Sequence, residues 1–415
     1  MDPADRNGKN AGKPAGLYVH VPFCVKKCRY CDFFSIPEIG FIPDYVAALQ
    51  AEIRLAGSLH PDLSFDTVYL GGGTPSLLSP RQLEEILMAL RRSFRIAPYA
   101  QVSMELNPGT IDPPKLAAYR GMGVSRVNLG VQSFDDDALV FLGRIHDAKT
   151  ARRAMELCRE AGFCEVGADL ILAVPGRGMR SLADDLKTLL SFSPEHLACY
   201  LLSLEPGTPL TLSAEQGAFT PFSGDRAAAD FLFVCHVLEK RGFRHYEVSN
   251  WSRGPDHLSL HNVKYWQGAP YLGLGPAAHS FTNGVRWSNH RSLSAYLYDL
   301  SEGSLPVRAK EELTKHQRML ERLYLGLRCD TGLCVPDFAA EFFPEAPALW
   351  QDEIRSLAAN RMARWDGSTL FLLPRGMLVL DAVVGRLAGR LEGAIPFPRQ
   401  ESPGPFSRRR RPEAP

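Results

Sequence analysis

Residues 17–31 read LYVHVPFCVKKCRYC. Leu17 to Val21 form a short apolar run rich in valine, the composition of a buried strand. Cys24, Cys28 and Cys31 follow at once in a C-x3-C-x2-C run, on a tight loop directly after that strand. Three thiolates so placed grip three irons of a cubane, and the absence of a fourth cysteine leaves one iron able to take an outside donor. Zinc is the alternative reading of such a run, but it normally takes two spread ligand pairs or a fourth ligand close by.

Outward from this loop, strand-like runs recur at Thr67 to Leu70, Val102 to Leu106, Val127 to Val131, Gly167 to Val174 and Leu197 to Leu204, each followed by a stretch of helical periodicity. That alternation predicts parallel strands with crossover helices. Six such units suit a partial barrel or an open doubly wound sheet, and periodicity alone does not choose between them. Chemistry-bearing residues fall where strands end. Gly71-Gly72-Gly73-Thr74-Pro75 closes the second run, where glycines let a ligand approach the backbone and meet its N–H groups. Glu105, Gln132, Arg144 and Asp169 lie at or near successive strand ends, in position to bind an amino-acid moiety and a ribose or to serve as ordinary caps and surface ion pairs.

The rest of the chain bounds the answer. It has 415 residues, 45% of them hydrophobic, enough for one large α/β domain and a smaller one. A formal charge of +1 gives no sign of a nucleic-acid partner, and no apolar run is long enough for membrane insertion. With nine cysteines, three of them clustered, and no secretory leader pattern, a cytoplasmic, reducing compartment is expected. Cys158, Cys164, Cys199, Cys235, Cys329 and Cys334 read as buried packing residues. Tyr246 to Phe281 is aromatic and rich in His and Gly, Glu311 to Leu327 reads as an amphipathic helix, and Leu370 to Leu391 as strand, turn and helix. The expected layout is a disordered leader over 1–15, a core over 16–220, an extension over 221–305, a small C-terminal domain over 306–392, and a disordered, Pro- and Arg-rich tail over 393–415.

YVHVPFCVKKCRYC, VYLGGGTPSLL, MELNPGT, RVNLGVQSFDDDALVFLGRIH, GADLILAVPG, YEVSN and HNVKYWQGAPYLGLGPAAHSF together resemble the radical SAM superfamily. The likeness is greatest to the branch that holds oxygen-independent coproporphyrinogen III oxidase and the haem chaperone HemW. It implies a partial (β/α)6 TIM-like barrel with a small C-terminal α+β domain, a 4Fe–4S cluster on Cys24, Cys28 and Cys31, and S-adenosylmethionine (SAM) touching Tyr18, Gly72 and Glu105. In the oxidase branch a second SAM is bound, at positions matching Gly73, Thr74, Gln132, Arg144 and Asp169.

Within the branch the resemblance favours the chaperone. The oxidase motif has another cysteine two residues beyond the third, where this chain has Asp32 and then Phe33, and the oxidase carries a longer N-terminal extension. His261-Asn262-Val263-Lys264-Tyr265-Trp266 matches HNxxYW, which resembles the chaperone's haem-binding signature, with His261, Tyr265 and Trp266 as the haem residues. His257 and His279 are alternative ligands. The expectation is a protein that takes haem as cargo and delivers it to acceptors such as respiratory enzymes, with an electron donor for the cluster. The other reading is a coproporphyrinogen oxidase of porphyrin biosynthesis.

Overall fold

The structure is a computed structural model, and it describes residues 13–392. The expected leader lies outside the described residues as far as Gly12, while Ala15 already opens the first strand; the tail over 393–415 lies outside them altogether.

Six strands follow one another: β1 (Ala15–Val21), β2 (Ser64–Gly72), β3 (Arg95–Leu106), β4 (Arg126–Gln132), β5 (Glu165–Leu172) and β6 (His196–Leu201). Each pairs in parallel with the next, in unbroken order. A doubly wound sheet reverses its strand order at a switch point, whereas a barrel keeps it, so this order selects the barrel. Helices in the connections cover the outer face. Helix Ile42–Leu59 buries Tyr45, Leu49 and Ile53, and helix Pro80–Ser93, opened by a Ser79–Gln82 capping box, buries Leu83, Ile86, Leu87 and Leu90.

The second half of the chain completes the same sheet on both sides. The hairpin β7 (Arg244–Glu247) and β8 (Asn250–Ser252) adds antiparallel to β6, while β9 (Tyr271–Leu274) lies parallel along the free side of β1. Beyond β9, strands β10 (His279–Thr282), β11 (Val285–Asn289) and β12 (Val307–Glu312) continue antiparallel, for a sheet of 12 strands. Among the described residues no ladder joins β12 to β7, so the barrel stays open along one side. Because β12 occupies Val307–Glu312, the helix expected from Glu311 starts instead at Lys315, capped by Thr314.

The C-terminal part carries a three-stranded sheet, β13 (Leu333–Cys334), β14 (Ala363–Trp365) and β15 (Thr369–Leu372), with β15 in the middle. Helices Lys315–Arg328 and Ala346–Ala359 pack against it, and helix Leu380–Glu392 packs on those two helices. Trp350 is fully buried there, and its indole N–H donates to the Leu387 carbonyl at 2.9 Å. Among the described residues no helix is long and apolar enough to cross a membrane.

Candidate functional site

Parallel strands covered on both faces normally read as continuous apolar runs. Here one face breaks the rule. Tyr18 stands opposite Tyr69, Tyr69 opposite Ser103, Glu105 opposite Asn128, and Asn128 opposite Gly167, two residues before Asp169. Since side chains alternate along a strand, this register lines the barrel interior with polar groups at its carboxyl end.

The cysteine loop is fastened above that end. Cys24 N donates to Ile36 O at 3.0 Å, Arg29 N to Leu142 O at 3.1 Å, and Leu210 N to Arg29 O at 2.8 Å, so residues 24–36 are tied at both ends and in the middle. The Thr74 hydroxyl donates to Cys24 Sγ at 3.4 Å and Arg144 Nη1 to Cys28 Sγ at 3.2 Å. Burial pushes the Cys31 thiol up to about 11, and Cys28 and Cys24 push it the same way. Among the described residues no three His, Cys, Asp or Glu side chains stand close enough to share one metal ion. A cubane takes each thiolate on a different iron, so three cysteines on one loop can hold a cluster without sharing one metal ion.

The glycine turn sits below. Gly72 has φ +106°, and a Cβ there would lie 2.5 Å from the His20 ring. Only glycine fits, and it frees the Gly72 N–H to donate to Glu105 Oε2 at 3.2 Å. Glu105 Oε1 accepts from the Tyr69 hydroxyl at 2.9 Å. Burial, and then the neighbouring Asp169, raise the Glu105 carboxyl to about 7. Burial likewise raises Asp169 to about 6, although Asn128 Nδ2 donates to it at 2.7 Å. Arg144 Nη2 donates to Gly130 O at 2.7 Å, and Gln132 ends its strand with φ +69°, an uncommon conformation for a side chain other than glycine. Tyr18 stands mid-strand, its hydroxyl on His20 Nδ1 at 3.1 Å and its ring stacked on His261 at 6.2 Å, while Gly72, Gly73, Thr74, Glu105, Gln132, Arg144 and Asp169 are gathered at the same barrel end as the three cysteines.

His261, Tyr265 and Trp266 are not. They lie on helix Leu260–Trp266, which closes the opposite end of the barrel. His261 is 1% exposed; its Nδ1 pairs with the Thr67 hydroxyl at 3.0 Å and its Nε2 with the Tyr265 hydroxyl at 2.8 Å. The ring stacks under Tyr69 at 5.2 Å and fills the space a Cβ on Gly16 would need, 2.9 Å away. Burial drops its pKa to about 3. Trp266 lies beneath the Arg328 guanidinium at 4.2 Å. In this arrangement both ring nitrogens of His261 are engaged, and it forms part of a floor about 16 Å from the cysteine loop, at roughly 3.3 Å per strand residue.

Sequence reasoning missed Tyr69, which joins the floor to Glu105, and Asn128, which holds Asp169. The signal was present: both are polar residues at every-second-position spacing inside otherwise apolar strands. Cys164 also differs from expectation, being exposed in the turn before β5.

A sheet of this order, with three cysteines on its first βα loop and a glycine turn on its second, defines a radical SAM protein. Residues 18–189 match the model of the Radical SAM superfamily, and residues 313–379 that of the HemN C-terminal domain. The chain is 35% identical, over 91% of its length and 96% of the relative's, to a Mycobacterium tuberculosis protein named heme chaperone HemW. It is 30% identical to the Bacillus subtilis protein of that name, over 90% of this chain and 99% of the other. A mouse relative, radical S-adenosyl methionine domain-containing protein 1, mitochondrial, is 33% identical over 93% of this chain and 90% of its own. Among solved structures, Escherichia coli coproporphyrinogen III oxidase (HemN), a radical SAM enzyme, shares the fold with a TM-score of 0.77 over 90% of both chains, at 23% identity. The chain belongs to the HemW family.

Proposed function

We propose that this protein binds haem and hands it to haem-requiring acceptors such as respiratory enzymes, with a 4Fe–4S cluster on Cys24, Cys28 and Cys31 and SAM beneath it. Kinship with proteins named heme chaperone HemW, along nearly the whole chain, carries this reading over the oxidase. Asp32 and Phe33, where the oxidase motif has its further cysteine, support it.

The residues fit the groups that the radical SAM family implies. Arg144 Nε and Asn128 Oδ1 are buried without a hydrogen-bond partner, beside the two facing carboxylates Glu105 and Asp169. A polar, zwitterionic nucleoside ligand satisfies such a set, and unsatisfied buried polar atoms are otherwise rare. In this reading Glu105 accepts from ribose hydroxyls, the Gly71–Thr74 turn receives the amino-acid end, and Arg144 holds Cys28 in place. When bound, the cluster supplies an open iron for the SAM amino-acid group and a source of single electrons, drawn from an external donor.

The test is a haem titration of the anaerobically reconstituted protein beside an assay with SAM, reductant and coproporphyrinogen III. Stoichiometric haem binding without porphyrinogen turnover is expected. Steady formation of protoporphyrinogen without haem binding makes the protein an oxidase instead. Cys24→Ala, Cys28→Ala and Cys31→Ala should each lose the cluster's visible absorbance, and a full cluster in any of them refutes that ligand.

A further inference from the structure

The neighbours of the His261 ring each fix a different part of it. Tyr69 stacks on it at 5.2 Å with 25° between the planes, and Tyr18 at 6.2 Å with 28°, which together hold the ring plane. Gly16 walls the Nδ1 side, since a Cβ there would stand 2.9 Å from Cε1 and 3.0 Å from Nδ1. Thr67 closes the same side with its hydroxyl, 3.0 Å from Nδ1, and is itself 0% exposed. The register of β1 on β2 brings these four together, with Gly16 opposite Thr67 and Tyr18 opposite Tyr69.

The other ring nitrogen is placed differently. Nε2 faces the Tyr265 hydroxyl, 2.8 Å away and one turn further along the same seven-residue helix. That helix is fastened to the barrel by side chains rather than by strand pairing: Lys264 reaches Asp66 at 2.6 Å and the Pro14 carbonyl at 2.7 Å, and Leu260 N donates to Gln101 Oε1 at 3.1 Å. An incoming iron is kept from Nδ1 by two strands, whereas it reaches Nε2 by displacing one phenol.

A neutral imidazole has one N–H and one lone pair, so two tautomers can serve the two hydroxyls. In one, Nδ1–H donates to Thr67 Oγ1 and Tyr265 donates to Nε2; in the other both bonds reverse. The first gives the lone pair the more acidic donor, the phenol. It also matches the habit of metal-binding histidines, which give the remaining N–H to a fixed acceptor.

We propose that Thr67 is the positioning residue of haem ligation: its hydroxyl takes the Nδ1 proton of His261 in a hydrogen bond, which fixes Nε2 as the nitrogen offered to iron, and the Tyr265 hydroxyl caps that nitrogen until haem displaces it. The inference rests on the haem-binding reading above, with the HNxxYW histidine as ligand, and adds a residue of β2 that lies 194 positions before that histidine. An N–H···O bond at the far nitrogen makes an imidazole a stronger donor, which tightens its bond to iron and favours the ferric over the ferrous state. Thr67 thus sets both affinity and potential without touching the cargo.

The experiment titrates haemin into the full-length reconstituted protein and into Thr67→Val, Thr67→Ser, Tyr265→Phe and His261→Ala, with Thr67→Ala as a second removal of the hydroxyl. Soret spectra, low-temperature EPR and the ferric/ferrous midpoint potential are recorded, and urea midpoints separate folding from binding. Thr67→Val should bind about tenfold more weakly, with a more positive potential and an altered EPR spectrum, and Thr67→Ser should restore all three. Tyr265→Phe should keep the histidine-ligated signature and bind at least as tightly, while His261→Ala should lose the signature. Wild-type affinity and potential in the folded hydroxyl-free variants overturn the positioning role, and a lost signature in Tyr265→Phe overturns the cap. A wild-type signature in His261→Ala places the ligand elsewhere and overturns the inference while haem binding stands. If the wild-type protein binds no haem, the proposed function falls with it.

Discussion

At the scale of single residues, Glu105 is the side chain whose state decides most. It is held in the barrel with a pKa of about 7, raised by burial and by Asp169, so near neutral pH it is only partly ionised. Its two contacts, from Tyr69 and Gly72, are donors, and under the proposed function ribose hydroxyls would add further donors, which favours the carboxylate. SAM affinity should therefore weaken as pH falls through about 7. Glu105→Gln should bind SAM about 10- to 100-fold more weakly at pH 8 and lose the pH step, because a charged acceptor contributes on the order of 1.5–3 kcal/mol. Calorimetric titration at several pH values checks this, and an unchanged pH profile in the variant assigns the step to another group. Most of the residues gathered at this end were legible in the sequence as polar groups at strand ends, although each taken alone read equally well as a cap or a surface ion pair. The floor was not legible. Nothing in HNxxYW says whether its histidine faces solvent or Thr67, since that depends on a strand nearly 200 residues away.

At the scale of elements, helix Ile42–Leu59 is bound to the far edge of the sheet through one buried acid. Glu52 is 2% exposed and accepts from Tyr296 Oη and Gly275 N, each at 2.7 Å, and from Asn289 Nδ2 at 2.6 Å. Burial outweighs these three donors and raises its pKa to about 7. The native state therefore binds this proton more tightly than the unfolded chain does. The group's contribution to stability is full below about pH 4.5 and declines as pH rises through about 7. Glu52→Gln should remove that decline, which urea midpoints from pH 5 to 8 will read as a changed slope. Glu52→Ala strands three buried donors and should cost about 2–4 kcal/mol at pH 5, and less as pH rises through about 7. The first six strands announced themselves through apolar composition and regular spacing. The outer six did not, for physical reasons: β7, β8, β9 and β10 are three or four residues long, and β12 reads VRAKEE, an edge strand largely exposed and charged. Charge on an edge discourages pairing with other chains, and it also erases the hydrophobic signature.

At the scale of the whole molecule, the C-terminal part meets the barrel through a buried ion pair. Glu247 is 0% exposed in β7, and Arg328, at the end of helix Lys315–Arg328, reaches it with Nε at 2.8 Å while lying over Trp266 at 4.2 Å. Arg328→Met leaves the Glu247 carboxylate buried and unpaired, which should cost about 3–5 kcal/mol. Arg328→Met with Glu247→Gln should recover much of that loss, and denaturant unfolding of the double-mutant set measures it. That the two parts share an interface was not readable from patterning, because both partners look like ordinary surface charges. The strand order has a consequence in time as well. β1, which carries the cysteine loop, is flanked on one side by β2 and on the other by β9, made from Tyr271–Leu274. A ribosome releases the cysteines long before it has translated the strand that covers their flank. Until then β1 is a bare edge of hydrogen-bonding groups, open to stray pairing with other nascent chains. Iron–sulfur loading should therefore come late, after synthesis has passed β9, and chains stalled before that point should be aggregation-prone and metal-free.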